Sequence, residues 1–190
     1  MKFNRIAVVI VLIAVVVVAG SAIFYFNSQD HGPSYPDSNE NVVSMKDFDV
    51  TDTYTGTNAN GSIIVQKFDD TIRVTVLSNF SISENDFGGV AFYCDNNFDP
   101  VTALCSYQDD LFASSTGIQK TLLHDDFGGC ISVGLALHTG GGTGYIEAVF
   151  ESVWPDISQI DEIEILIAVG SNEESSSVGT TSETISLEIT

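Results

Sequence analysis

Apolar residues fall into two patterns along this chain. Near the N-terminus they are continuous: "IAVVIVLIAVVVVAGSAIFYF", residues 6–26, contains no charge. Beyond residue 60 they alternate with polar residues, and period two is the pattern of a strand with one face in a core and one in water. "CISVGLALH" (130–138) sets Ile131, Val133, Leu135 and Leu137 on one face. "YIEAVFESV" (145–153) turns Ile146, Ala148 and Phe150 inward and Glu147 and Glu151 outward. "EIEILIAV" (162–169) turns Ile163, Ile165 and Ile167 inward, and a last strand does the same with Ile185, Leu187 and Ile189.

Further strands are expected at "SIIVQKF" (62–68) and "TIRVTVLS" (71–78), with Asp69-Asp70 as a tight hairpin turn. "GVAFYC" (89–94) and "VTALCSY" (101–107) follow. Ile157, Ile160 and Ile163 after Pro155 also fit a helical stripe, so a short helical turn is expected before the strand at 162. "NDFGGVAF" (85–92) and "DDFGGCIS" (125–132) form a partial repeat, and each opens a strand. Their paired glycines suit a positive φ or a bulge at a strand start. Together these segments predict an all-β fold: a single antiparallel β-sandwich of about eight or nine strands.

The continuous run changes the picture of where that sandwich sits. Twenty-one helical residues at about 1.5 Å each span roughly 31 Å, the thickness of a bilayer's hydrocarbon core. Lys2 and Arg5 precede the run, and Asp30 is the first charge after it. The positive-inside rule keeps the N-terminus cytoplasmic and sends the rest outside. "IFYF" continues the apolar run into the interface, as a retained signal anchor does. "AGSA" (19–22) is also a small-residue cleavage pattern, so a cleaved signal peptide is the alternative. Residues 1–27 are thus the transmembrane helix or signal. Residues 28–45, polar with two prolines, read as a flexible stalk, and 46–190 as one extracellular domain. The stretch 171–183 reads as a polar loop.

Charge narrows the partners. All 26 acidic residues lie beyond residue 27 with only four basic ones, a formal charge of −22. Such a surface repels nucleic acid and anionic lipid, which excludes both as partners, and it attracts cations.

Two of the three cysteines bracket "CDNNFDPVTALC" (94–105). Outside the cell Cys94 and Cys105 are expected to pair, closing a loop of about a dozen residues worth roughly 3 kcal/mol by chain entropy. Cys94–Cys130 is the second pairing, and an unpaired Cys130 would be a buried apolar thiol. Asp95, Asn97 and Asp99 occupy the first three ligand positions of a calcium loop, and Asp109 and Asp110 are near enough to add to them. Pro100 and Ser106 break the pattern where Gly and Glu belong. Asx turns, with the side chains bonding their own backbone, are the other reading.

Catalytic signals are missing. His31, His124 and His138 show no zinc spacing, "LHDDF" lacks a nucleophile motif, and "TGGGTG" (139–144) lacks a phosphate loop's Lys. A non-enzymatic protein is expected. A binding face is better supported: Tyr145, Glu147 and Glu151 on the solvent side of strand 145–153, His138 across the glycine hairpin, and Trp154, Tyr93, Phe98 and Tyr107 near one rim. Aromatic faces beside acidic acceptors suit sugar rings. Sequons stand at Asn60-Gly61-Ser62, read as a turn, and Asn79-Phe80-Ser81.

"GGVAFYCDNNFDP" (88–100) resembles the cohesin segment in which a Gly-led strand precedes an aromatic-Asp-Pro turn. "GTGYIEAVFESV" (142–153) resembles a later cohesin strand, and "WPDISQIDEIEILI" (154–167) is similar to carbohydrate-binding modules of jelly-roll fold. The resemblance implies a jelly-roll-like sandwich of non-catalytic binding type, and assigns no site residue. The expected function is a membrane-tethered extracellular module that binds a glycan or surface protein. The alternative is a surface subunit that self-associates through a strand edge or a donated strand, "TISLEI" or 46–54, with calcium as a candidate cofactor.

Overall fold

β-branched and aromatic residues spaced by polar ones build ten strands in the described part of the chain. The structure is a computed structural model and describes residues 41–84, 86, 89–107, 117–119, 127–134, 141–153, 157–170 and 181–189. The strands are β1 (Val42–Thr51), β2 (Asn58–Lys67), β3 (Ile72–Ile82), β4 (Val90–Asp95), β5 (Phe98–Tyr107), β6 (Gly117–Gln119), β7 (Phe127–Val133), β8 (Gly142–Ser152), β9 (Glu162–Val169) and β10 (Thr181–Glu188). A 3₁₀ turn at Ile157–Gln159 precedes β9, where the helical stripe was expected. The apolar run 6–26 and most of the stalk lie outside the described residues. Among the described residues no helix is long and apolar enough to cross a membrane. β1 begins at Val42, four residues before the expected domain start.

All strand pairings are antiparallel and make two five-stranded sheets. The first has the order β1-β2-β3-β8-β5 and the second β10-β9-β4-β7-β6. The all-β sandwich expected from period two is therefore present. Strands β1 to β3 form a meander, and the Asp69-Asp70 turn closes on a hydrogen bond from Phe68 N to Thr71 O of 2.8 Å.

The core lies between the sheets. Ile63, Val76, Ile146 and Phe150 come from the first sheet and Phe92, Ile131, Ile163, Ile165 and Ile167 from the second, each fully buried. Each such side chain contributes about 1.5–3 kcal/mol by leaving water. Phe48 and Phe92 meet edge to face across the gap, ring centroids 6.3 Å apart. Ile185, Leu187 and Ile189 complete the core as predicted.

The second sheet buries part of its outer face as well. Ala91, Tyr93, Phe127, Cys130, Leu166 and Ala168 form a separate buried cluster there. This explains the unbroken apolar run in β4 and in the second half of β9, since a strand covered on both sides has no need to alternate.

The repeated DFGG segments act as the sequence implied. Gly89 has φ +74°, and a Cβ there would lie 2.0 Å from the Val133 carbonyl oxygen. Gly128 sits at the register shift between Cys94 and Asp95, where β7 carries a bulge.

Two expectations fail on topology. Cys94, Cys105 and Cys130 are free thiols. A two-residue turn at Asn96 and Asn97 sends the chain from β4 in one sheet to β5 in the other. That turn holds Asp95 within about 7 Å of Phe98, so Cys94 lies within about 11 Å of it. Seven residues of β5 then carry Cys105 about 21 Å beyond Phe98, even with the bulge. The two cysteines thus stay at least about 10 Å apart, beyond the roughly 7 Å limit for a disulfide. Cys94–Cys130 fails on parity, because Cys94 faces the core while Cys130, opposite Tyr93, faces the outer cluster. The second failure is the Asn60 sequon, which lies within β2 instead of a turn.

Candidate binding face

The first sheet's outer face is set by register. On β8, Tyr145, Glu147 and Glu151 alternate with the buried Ile146, Ala148 and Phe150, so all three point away from the core. β8 is flanked by β3 and β5, and the pairing aligns the outer side chains in rows across five strands. One row is Asp49, Asn60, Asn79, Tyr145 and Ser106. The next is Asp47, Ser62, Leu77, Glu147 and Leu104. A lower row carries Arg73, Glu151 and Asp99.

The rows differ in character. Asp49, Asn60, Asn79 and Ser106 are exposed and Tyr145 is half-buried. Burial raises the Tyr145 hydroxyl's pKa, with smaller contributions from Cys105 and Glu147, so it stays a neutral donor. In the second row Leu77 is buried, but Leu104 on the edge strand is 47% exposed, and the bulged Val101 beside it is 49% exposed. In the lower row Arg73 donates two hydrogen bonds to Glu151 Oε1, at 3.0 and 2.6 Å, and stacks over Phe68. Arg73 offsets Glu151 there, and Asp99 leaves the row with one net negative charge. The upper rows offer amides, hydroxyls, a phenol and Glu147 beside an apolar edge. Such a surface can hold a ligand.

Not every expected residue joins this face. His138 and Trp154 lie outside the described residues, as do Asp109, Asp110, His31 and His124. Tyr93 is 6% exposed on the second sheet's outer cluster and Phe98 is fully in the core, so neither lines a rim. Both fall in strand positions whose direction only the two-sheet crossing fixes. Asn60, Asn79 and Ser106 were missed as site residues. The signal was the alternation "N-A-N-G-S" and "L-S-N-F-S", which places amides and hydroxyls on one face.

The calcium candidates are held differently from a metal loop. Asp95 Oδ1 accepts a hydrogen bond from Asn97 N at 2.8 Å, the Asx turn. Burial pushes the Asp95 carboxyl up, hydrogen bonds from Asn97 and from the Glu164 backbone oppose this, and the Glu164 charge adds a smaller rise. Asp99 faces outward on β5, opposite Glu151. Among the described residues no group of three or more His, Cys, Asp or Glu could hold a metal ion.

One end of the sandwich is sealed by a polar network. Asp52, 2% exposed, accepts from Thr55 N and Oγ1 at 2.9 and 2.6 Å and from Thr181 Oγ1 at 2.9 Å. Thr57 Oγ1 donates to Asp86, and Gly89 N donates to the same carboxylate at 3.3 Å. This network joins the β1–β2 turn, the β3–β4 connection and the start of β10.

No protein-family model matches the chain, and no curated protein matches it. A solved structure described as "pH-induced modulation of Streptococcus parasanguinis adhesion by Fap1 fimbriae" is similar over 58% of this chain and 57% of that chain. The identity is 14% and the TM-score 0.31. This chain therefore spans a little over half the length of that one, and so low a score carries no argument about function.

Proposed function

We propose that this protein is a membrane-tethered, extracytoplasmic, non-catalytic binding module that receives a glycan or protein partner on the first sheet's outer face. The observation that supports this is the placement of Tyr145 and Glu147 of β8 on one solvent-facing surface with the exposed Leu104 and Val101 of β5. The phenol and apolar edge supply contact area, and Glu147 and Ser106 supply hydrogen bonding to a hydroxyl or amide. The jelly-roll likeness rests on sequence alone and agrees with a non-catalytic role. The anchor is residues 6–26.

The test is binding of the full chain, in detergent, to glycan and surface-protein panels, with Tyr145→Ala and Leu104→Ser beside the native protein. Each substitution is expected to weaken the partner about tenfold, some 1.4 kcal/mol. Unchanged affinity in both variants sinks this face as the site.

Self-association through a donated strand is the second reading. It is favoured by the positions of the first and last described strands. β1 and β10 are edge strands of their two sheets, and Lys46 Nζ of β1 reaches the Ser186 carbonyl of β10 at 3.4 Å. Among the described residues β10 pairs only with β9, yet it places Ile185, Leu187 and Ile189 in the core. An exchanged β10 would recover the same burial in a second copy.

A further inference from the structure

Two asparagines without side-chain partners among the described residues stand opposite each other on the first sheet. Asn60 of β2 and Asn79 of β3 are register partners, and both are exposed. Ser78 Oγ donates to their backbone carbonyls at 3.4 and 2.9 Å. Neither side-chain amide has a hydrogen-bond partner among the described residues. Asparagine is disfavoured inside strands, where its amide competes with the ladder. The packing requires no amide at either position.

Each asparagine opens an Asn-X-Ser triplet, and the other members have different roles. Gly61 is fixed by backbone approach, since a Cβ there would lie 1.9 Å from the Leu77 carbonyl oxygen. Phe80 is a core residue, 3% exposed. Ser62 and Ser81 share their asparagine's face by the two-residue period, and Ser62 Oγ donates to Asp47 Oδ1 at 2.6 Å. The packing thus accounts for the middle residue of each triplet and leaves the acceptor amide free.

We propose that Asn60 and Asn79 form a single N-glycan attachment locus that carries one glycan per molecule. The donor class is an oligosaccharide on a lipid diphosphate. Nδ2 forms a bond to the sugar's C1, the C1–O bond to phosphate breaks, the lipid diphosphate leaves with the electron pair, and Nδ2 gives up one proton. One glycan excludes a second, because cross-strand Cβ atoms lie only about 4.5–5.5 Å apart. Two sugar rings with their hydroxyls do not fit side by side at that spacing. A glycan on Asn60, one strand farther from β8, leaves Tyr145, Leu104 and Val101 uncovered. The locus and the proposed binding face therefore coexist with the glycan on Asn60, whereas one on Asn79, the register partner of Tyr145, would cover that face.

The locus rests on the extracytoplasmic placement proposed above, and the experiment separates the two. The full chain is followed in its native cells. Protease added to intact cells reads the placement, and intact mass with glycopeptide mapping of the purified chain reads the modification. The expected result is a protease-accessible chain carrying one glycan mass, absent from Asn60→Gln/Asn79→Gln while thermal unfolding is unchanged. An accessible chain that is unmodified overturns the locus and leaves the placement standing. So does a chain with two glycans, or with one that survives the double substitution. A chain protected on intact cells overturns the placement and the locus with it.

Discussion

Cys94, Cys105 and Cys130 show how little a residue's identity says about its state until its direction is known. Cys94 faces the core, where burial pushes its thiol well above the ordinary range, with a further contribution from Asp95. Cys130 is pushed up to about 11 by burial on the outer face. Only the thiolate reacts, so both are inert in the folded protein. Without reductant, a thiol reagent is expected to find all three thiols in denaturant and neither Cys94 nor Cys130 in the native state, as thiol counting with peptide mapping would show. Only one thiol in denaturant would mean that a disulfide forms after all. Gly61 is the other residue whose role is steric. Gly61→Ala drives a methyl into the Leu77 carbonyl, which neither strand can escape without opening the ladder. A loss of about 3 kcal/mol is expected from denaturant unfolding.

At the scale of elements, the strands with one wet face were the legible ones. β8, β10 and the first half of β9 alternate cleanly, and their inward residues are those the period assigns. β4 was also read as a strand, but its unbroken run conceals that both of its faces are covered. The segment 94–105 misled because Asp, Asn and Pro read as a loop, whereas the chain turns in two residues and enters an edge strand. Pro100 and the bulge that follows suit that edge, where a missing N–H costs nothing. The connection between β1 and β2 carries a pH dependence with a definite sign. Burial raises the Asp52 carboxyl, but hydrogen bonds from Thr55, Thr181 and Tyr54 outweigh it and hold it below its ordinary 3.8. A depressed carboxyl stabilises the fold fully above the unfolded value, and the contribution fades as pH falls through the folded one. Thermal unfolding of Asp52→Asn is therefore expected to show a lower Tm near neutrality and a flatter acid limb below about pH 4. An acid limb identical to the native protein's would mean that Asp52 is not its source.

Across the whole molecule, charge dominates. A formal −22 on residues beyond 27 repels itself and repels other copies. Raising salt from about 0.02 M to 0.5 M shortens the screening length severalfold and should raise Tm monotonically in a thermal melt. A flat response would place the carboxylates too far apart to matter. Calcium at millimolar levels should act only as added salt. A dedicated site filled at a hundredfold excess over its Kd would add about 2.7 kcal/mol, a rise that magnesium or sodium of equal ionic strength would not reproduce. Self-association by exchange of β10 has its own readout. Light scattering of the full chain in detergent should show growth in mass that is lost when Ile185 and Leu187 are replaced by polar residues. Constant monomer mass in the native protein sinks that reading.

The sequence by itself determined the class of fold, the inward residue of each alternating strand and the acidic surface. These follow from the two-residue period and from counting, which need no partner strand. It also marked the DFGG glycines, since a backbone that must turn left-handed or bulge leaves few residues to choose from. Only the tertiary structure decided which strands lie beside one another. That choice separated Cys94 from Cys105, buried Tyr93 and Phe98, and aligned Asn60, Asn79 and Tyr145 in one row. Side-chain period is local, whereas sheet order depends on which long-range pairings bury the most surface, and no short stretch of this chain encodes that sum.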